Sequence, residues 1–326
     1  MKEAVNSGDE GASRNAQRPA PLIYFLYVRF GNPLVLTGFR VAAEIFRAKI
    51  GSQHAVWMHR AGVDALFRAK RPMERKENIQ MAAHRFGKHP PKHDYRTLRF
   101  KNYLTPTIAP PPSSYNALSR VYTELKVSDP TKLFPMDGND TYGDCTIAAL
   151  AHAETVFRGL VGTETIMSKQ AVLKLYFHLT GGVDSGLNEL DVLNYWQSHR
   201  VSGDEIIAFT SIDPKNHIHI EQAIYLFGGV YLGFQVQQNC VQEFDAHQPW
   251  TPGPLTNDGH AVFAVAYDQN NVTVLTWGNT QLGTWPWWDE CVDEAYAILP
   301  PEARKPGYAP GFNFAQLEAD LQAVAS

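Results

Sequence analysis

Asn139-Asp140-Thr141-Tyr142-Gly143-Asp144-Cys145-Thr146-Ile147-Ala148-Ala149-Leu150 is the stretch from which the rest of the chain is read. Turn-forming polar residues run up to Asp144 and then stop. From Cys145 to Gly159, apolar residues at Ile147, Ala148, Ala151, Val156 and Phe157 recur at helical spacing. The pattern predicts a helix over 145–159 with Cys145 in its first turn. A helix N-terminus carries about half a positive charge, which favours a thiolate over a thiol. A buried, inert cysteine is the alternative for this residue type, but Gly143 and Asp144 make a tight, polar approach unlike a core.

Far downstream, Asp258-Gly259-His260-Ala261-Val262 sets a histidine at the head of an apolar strand. A lone strand histidine is often only a tolerated polar residue. Paired with a helix-opening cysteine it supplies the base that thiol chemistry needs, provided the ring comes within hydrogen-bond reach of the sulfur. The segments between follow a simple order. Helices are predicted over 168–179, with Ser168 as N-cap, over 187–198 and over 218–227. Gly228-Gly229 then turns the chain into a strand over 230–236. Further strands are expected at 261–267, 272–277 and 295–299. Helices first and strands afterwards indicate an α+β fold with a cleft between a helical and a sheet half.

From Met136 to Leu299 this order, with its punctuating residues, resembles the papain-like cysteine peptidases. Asn139 stands where that family has a glutamine six residues before its cysteine, and Gly143 matches the glycine two before it. Thr146 replaces the aromatic that usually follows. His260-Ala261-Val262 leads into Ala266-Tyr267, and Trp277-Gly278 matches the Trp-Gly of the last motif. The resemblance implies a two-lobed fold, with a helical lobe carrying the Cys145 helix and an antiparallel β-sheet or barrel lobe carrying His260. It implies a Cys145 nucleophile, a His260 general base, and an Asn139 side-chain amide that supports an oxyanion beside the Cys145 N–H. On composition alone, Asn139 is equally a turn residue within Asp137-Gly138-Asn139-Asp140. The family's ring-orienting asparagine falls at Leu275, which cannot accept a hydrogen bond. Ungapped counting from His260 reaches Thr276, whose hydroxyl can, although strand alternation turns it from the Leu275 and Trp277 face; Asn279 lies just beyond. Gly181–Gly186 resembles the family's Gly-rich loop that pairs with substrate backbone. Trp285, Trp287 and Trp288 either line the cleft or form a hydrophobic lid over the sheet.

The 326 residues carry a net charge of −4, with 44% hydrophobic and 19% charged side chains. Residues 1–80 hold 13 Lys and Arg against 7 Asp and Glu, so the remainder is net acidic. That argues against nucleic acid as a partner of the main body, since phosphate contact needs a dense cationic face. Cys145, Cys240 and Cys291 are too scattered for a metal pattern or a disulfide framework, and fit reduced thiols in a cytoplasm. The apolar run 22–28 ends at Arg29, short of the about 20 residues a membrane span needs. No signal peptide is evident.

Three regions are therefore expected: a basic extension over 1–80, an extended Pro-containing arm over 81–114, and a papain-like domain over 115–326. The extension contains two basic amphipathic helical patterns, 36–50 and 55–70, compatible with an inhibitory pro-segment, a membrane-surface element, or upstream sequence preceding a start at Met81. His84, His89 and His93 lie in a solvated stretch and lack the partners that would complete a metal site. The expected activity is cysteine-dependent cleavage of a peptide or isopeptide amide in a peptide or protein substrate, with no cofactor and no integral membrane segment. The alternatives are an inactive papain-fold binding module and acyl transfer by the same dyad.

Overall fold

The computed structural model describes residues 84–325, apart from 128, 130, 131, 204 and 306. The extension over 1–80, its two helical patterns and Met81 lie outside the described residues. No helix among those described is long and apolar enough to cross a membrane.

Local sequence signals set most of the element boundaries. A two-residue strand β1 (Tyr115–Asn116) runs directly into α1 (Ala117–Leu125), whose first amides are capped by Asn116 Oδ1 at 2.9 Å from Leu118 N. Then come α2 (Cys145–Gly159), α3 (Lys169–Leu179) and α4 (Glu189–Ser198). Ser168 caps α3 through Ala171 N, and Asn188 caps α4 through Leu190 N. After β2 (Ala208–Ile212), α5 (His217–Phe227) begins at the Asn216 cap and ends at Gly228. The φ of +87° at Gly228 is a left-handed C-cap that glycine adopts without a Cβ penalty. The remainder is β3 (Val230–Gln237), α6 (Cys240–Asp245), β4 (Leu255–Tyr267), β5 (Asn271–Thr276), β6 (Asn279–Thr284), α7 (Trp285–Cys291), β7 (Val292–Leu299) and α8 (Phe314–Ala325).

The strands form one open antiparallel sheet in the order β2-β7-β3-β4-β5-β6, with β1 paired to β4. Period-two alternation splits its side chains between two cores. Ala261, Phe263 and Val265 of β4 join Leu275 and Tyr231 in a core closed by α1–α4. Val262 and Ala264 join Leu232, Phe234 and Val274 in the other, closed by α5, the tryptophans of α7 and Leu317 of α8. Trp287 and Trp288 are fully buried and anchored through their indole N–H groups to Gln237 Oε1 and Pro214 O. These tryptophans are a lid over the sheet.

The arm is only partly the solvated element expected from its composition. Phe100 and Tyr103, on a short 3₁₀ turn, insert into the second core beside Phe227 and Phe312. Lys88 is 5% exposed. Apolar burial and an ion-pair partner override the polar average of this segment.

Candidate active site

Cys145 opens α2, as its sequence context predicts. The preceding Asp144 makes no side-chain cap; its carboxylate turns back to accept from Gly138 N at 3.0 Å. The positive end of the helix is thus left facing the cysteine. Gly143 is fixed from the side by its N–H donating to Asp184 Oδ1 at 3.0 Å, and Asp184 is held by the Tyr176 hydroxyl at 2.6 Å. Asp184 and Tyr176 escaped the sequence reading because neither belongs to a recognisable spacing.

The thiol is 1% exposed. Burial pushes its pKa up to about 12, against the pull of backbone N–H groups of Ala261 and Gly87. The contact with Ala261 joins the head of α2 to β4 one residue beyond His260. His260 pairs with Phe234 across β3 and is 1% exposed, and its ring stacks on Trp277 with centroids 4.5 Å apart. Burial, with a lesser contribution from His84, lowers its pKa to about 3, so the imidazole is neutral. Its Nε2 lies 2.8 Å from Thr276 Oγ1. Its Nδ1 is buried without a hydrogen-bond partner, so the thiol and the imidazole are not hydrogen-bonded to each other here.

Of the residues weighed as ring orienter, Thr276 reaches His260. Leu275 is buried in the α1–α4 core opposite Phe263. Asn279 is exposed and its Oδ1 accepts from Thr280 N. Asn139 is a turn residue with a buried side-chain amide. Its N–H closes a turn onto Met136 O, while its buried Nδ2 donates to Arg85 O at 3.0 Å and Tyr142 O at 3.2 Å. The amide expected to meet an oxyanion therefore holds a peptide carbonyl.

That carbonyl belongs to a strap, residues 84–90, that links the Asn139 turn, Leu187 and β4. Arg85 N donates to Asn139 O, Lys88 N to Gly259 O at 3.0 Å and His89 N to Leu187 O, while Gly87 O accepts from Leu187 N at 2.9 Å. Lys88 and Leu187 thus form a parallel bridge at the end of the Gly181–Gly186 loop. Gly186, with φ +76°, admits this approach; a Cβ there would lie 2.2 Å from Gly87 O. Phe86 meets the His260 ring edge-on and His84 lies on Trp277. His84 and His89 bond Asp245 and Ser185 O respectively, not a shared centre.

Among solved structures, the cysteine protease xylellain from Xylella fastidiosa aligns with a TM-score of 0.51 and 18% identity, over 67% of this chain and 97% of that one. The chain has the papain-like fold. Procathepsin B S9 from Trypanosoma congolense aligns at 13% identity and a TM-score of 0.44, over 68% of this chain and 88% of that one. No protein-family model and no curated protein sequence matches the papain-fold chain.

Proposed function

We propose that this protein is a cysteine-dependent hydrolase that cleaves a peptide or isopeptide amide, with Cys145 as nucleophile, His260 as base and Asn139 as oxyanion donor. The observation that carries the reading is the His260–Thr276 contact. With Nε2–H donating to Thr276 Oγ1, the ring's lone pair lies on Nδ1, the nitrogen left without a hydrogen-bond partner. Once the thiol is uncovered, Nδ1 takes its proton. The thiolate attacks the carbonyl carbon, and the proton passes to the leaving amine as the tetrahedral species collapses to a thioester. Water then hydrolyses the thioester with the ring again as base; an amine acceptor in place of water would give acyl transfer.

In the closed form, residues 84–90 act as a built-in inhibitor, because Gly87 lies on the thiol and Arg85 O occupies the Asn139 amide. We keep the boundary between arm and papain-like domain at residue 114, with the basic extension over 1–80 preceding both. Three free, buried cysteines fit a reducing, cytoplasmic setting. The covered, protonated thiol favours a second reading, an inactive papain fold used for binding. The test is labelling with an epoxide-type thiol probe after strap displacement, together with turnover of a peptide library. Labelling of Cys145 ahead of Cys240 and Cys291, with turnover abolished by Cys145→Ala, supports the hydrolase. A Cys145 that no probe modifies at any pH supports the binding module.

A further inference from the structure

Lys88 fills a pocket built for a cation. Its side chain is 1% exposed, with Nζ 2.9 Å from Asp293 Oδ1 and 3.0 Å from Glu294 Oε1. Glu189, in the first turn of α4, is fully buried and acts on the same ammonium, yet neither of its carboxyl oxygens makes a hydrogen bond. Glu294 is held in place by the Tyr296 hydroxyl at 2.8 Å. The wall is Gly233 of β3: a Cβ there would lie 1.8 Å from Lys88 Cε and 3.0 Å from Glu189 Oε1. The register of β3 against β7, pairing Gly233 with Glu294, brings wall and carboxylate together.

We propose that Glu189, Glu294 and Asp293, walled by Gly233, form the selectivity pocket of the cleft. It takes a basic side chain of an extended peptide, and Lys88 is its internal occupant. The inference deepens the hydrolase reading and rests on it for the peptide's being a substrate; cation binding does not depend on it. Buried carboxylates are stable only when paired, so an apolar or acidic side chain leaves them uncompensated where an ammonium or guanidinium does not. Gly259 O and Leu187 flank the pocket and hold the peptide backbone on both sides, as they hold residues 87–89. A strap carrying the cation that a ligand would carry excludes competitors by occupying both the backbone sites and the pocket.

The experiment uses the full chain with Lys88→Ala and n-propylammonium, which restores the missing part of the side chain, against 1-propanol as its neutral counterpart. The expected result is a rise of several degrees in the thermal midpoint of Lys88→Ala with the ammonium. The alcohol has no such effect, and the ammonium has none on the unsubstituted chain. Equal effects of ammonium and alcohol, or none from either, overturn the proposal. Should Lys88→Ala not fold, Lys88→Arg and Lys88→Met decide through Cys145 alkylation. Slow labelling in Arg and at least tenfold faster labelling in Met support the pocket; equal rates, or the reverse order, refute it. A peptide panel in a strap-displaced chain separates the two readings. Rescue by the ammonium without any turnover leaves the pocket standing and removes the hydrolase. Equal turnover of Lys- and Leu-bearing peptides, with no ammonium effect, removes the pocket and leaves the hydrolase.

Discussion

His260 Nε2 lies 2.8 Å from Thr276 Oγ1, and the opposite ring nitrogen is buried with no partner. In the proposed mechanism this hydroxyl accepts from Nε2–H, which fixes the proton on Nε2 and orients the ring. Thr276→Val keeps the volume but leaves a buried N–H unpaired, at a cost of about 1–3 kcal/mol. In a strap-displaced chain it should lower kcat more than about tenfold. Cys145 should remain alkylatable, and Thr276→Ser should recover most of the rate. Steady-state kinetics of the two variants check this, and equal rates would mean that the hydroxyl orients nothing.

Gly87 is where the strap passes against the backbone of Gly143. A Cβ there would lie 1.9 Å from Gly143 O, a backbone atom that cannot step aside. Gly87→Ala should therefore lift the strap and raise the rate of Cys145 alkylation at least about tenfold, reflecting the access that thiol reactivity requires. Gly186→Ala, whose Cβ would meet Gly87 O, should act in the same direction. Mass spectrometry of the labelled cysteine gives the rates. Unchanged labelling in both would show that the strap is not what covers the thiol.

The pH dependence of that labelling carries its own sign. With the strap in place, burial holds the thiol at about 12, so the rate should climb through the alkaline range without levelling. Uncovering the thiol removes the largest upward influence; the helix N-terminus and the Ala261 N–H then pull downward against the Asp144 and Glu189 charges. In Gly87→Ala the alkylation profile should bend toward a plateau at lower pH than in the unsubstituted chain. A profile identical to that of the unsubstituted chain would count against the covered-thiol account.

Behind the cysteine helix, Asp137 is buried with neither carboxyl oxygen hydrogen-bonded, and Asp144 lies nearby. Burial first, and the Asp144 charge second, raise Asp137 to about 8; burial raises Asp144 to about 7. A carboxyl whose folded pKa lies above its unfolded value of about 3.9 stabilises the fold below that value and loses the contribution as pH rises through the folded pKa. Asp137→Asn does not ionise, so its melting temperature should gain on that of the unsubstituted chain as pH rises from about 4 to 8, then run parallel. His152 and His260, depressed to about 4 and about 3, act oppositely in both proteins. They withdraw stability as pH falls from about 6.5 toward their folded values. His260 cancels in the difference, but His152 Nε2 lies 3.6 Å from Asp137 Oδ2, so the Asp137 contribution is read above about pH 6.5, where His152 is neutral in both states. A gap that shrinks with rising pH would contradict the Asp137 assignment.

Local chemistry was legible where it acts over one or two turns. The helix from Cys145 to Gly159, the Ser168 cap and the Gly228 stop all follow from side chains within a few residues of the backbone they govern. So does the α+β order and the place of His260 on a strand. The partner of His260 was harder to read. Alternation along β5 turns Thr276 from its neighbours, yet both Thr276 and Trp277 meet the ring. The reason is that β5 ends at Thr276. Trp277 and Gly278 take φ values of +46° and +75°, the two left-handed positions of a tight hairpin, and break the period of two.

The strap and its pocket lay beyond local reading altogether. Lys88 looks like one more surface charge in a basic, proline-containing arm, and Glu189 looks like an ordinary first-turn acid on a helix. Neither side chain by itself favours burial. Desolvating a charge is unfavourable until its counter-charge is in place. That pairing exists only once the β3–β7 register sets Glu294 opposite Gly233 and the head of α4 arrives beside them. Backbone geometry and capping act through neighbours in sequence, whereas compensation of buried charge acts through neighbours in space, so the helix with its cysteine could be read from the chain and the occupant of its cleft had to be seen folded.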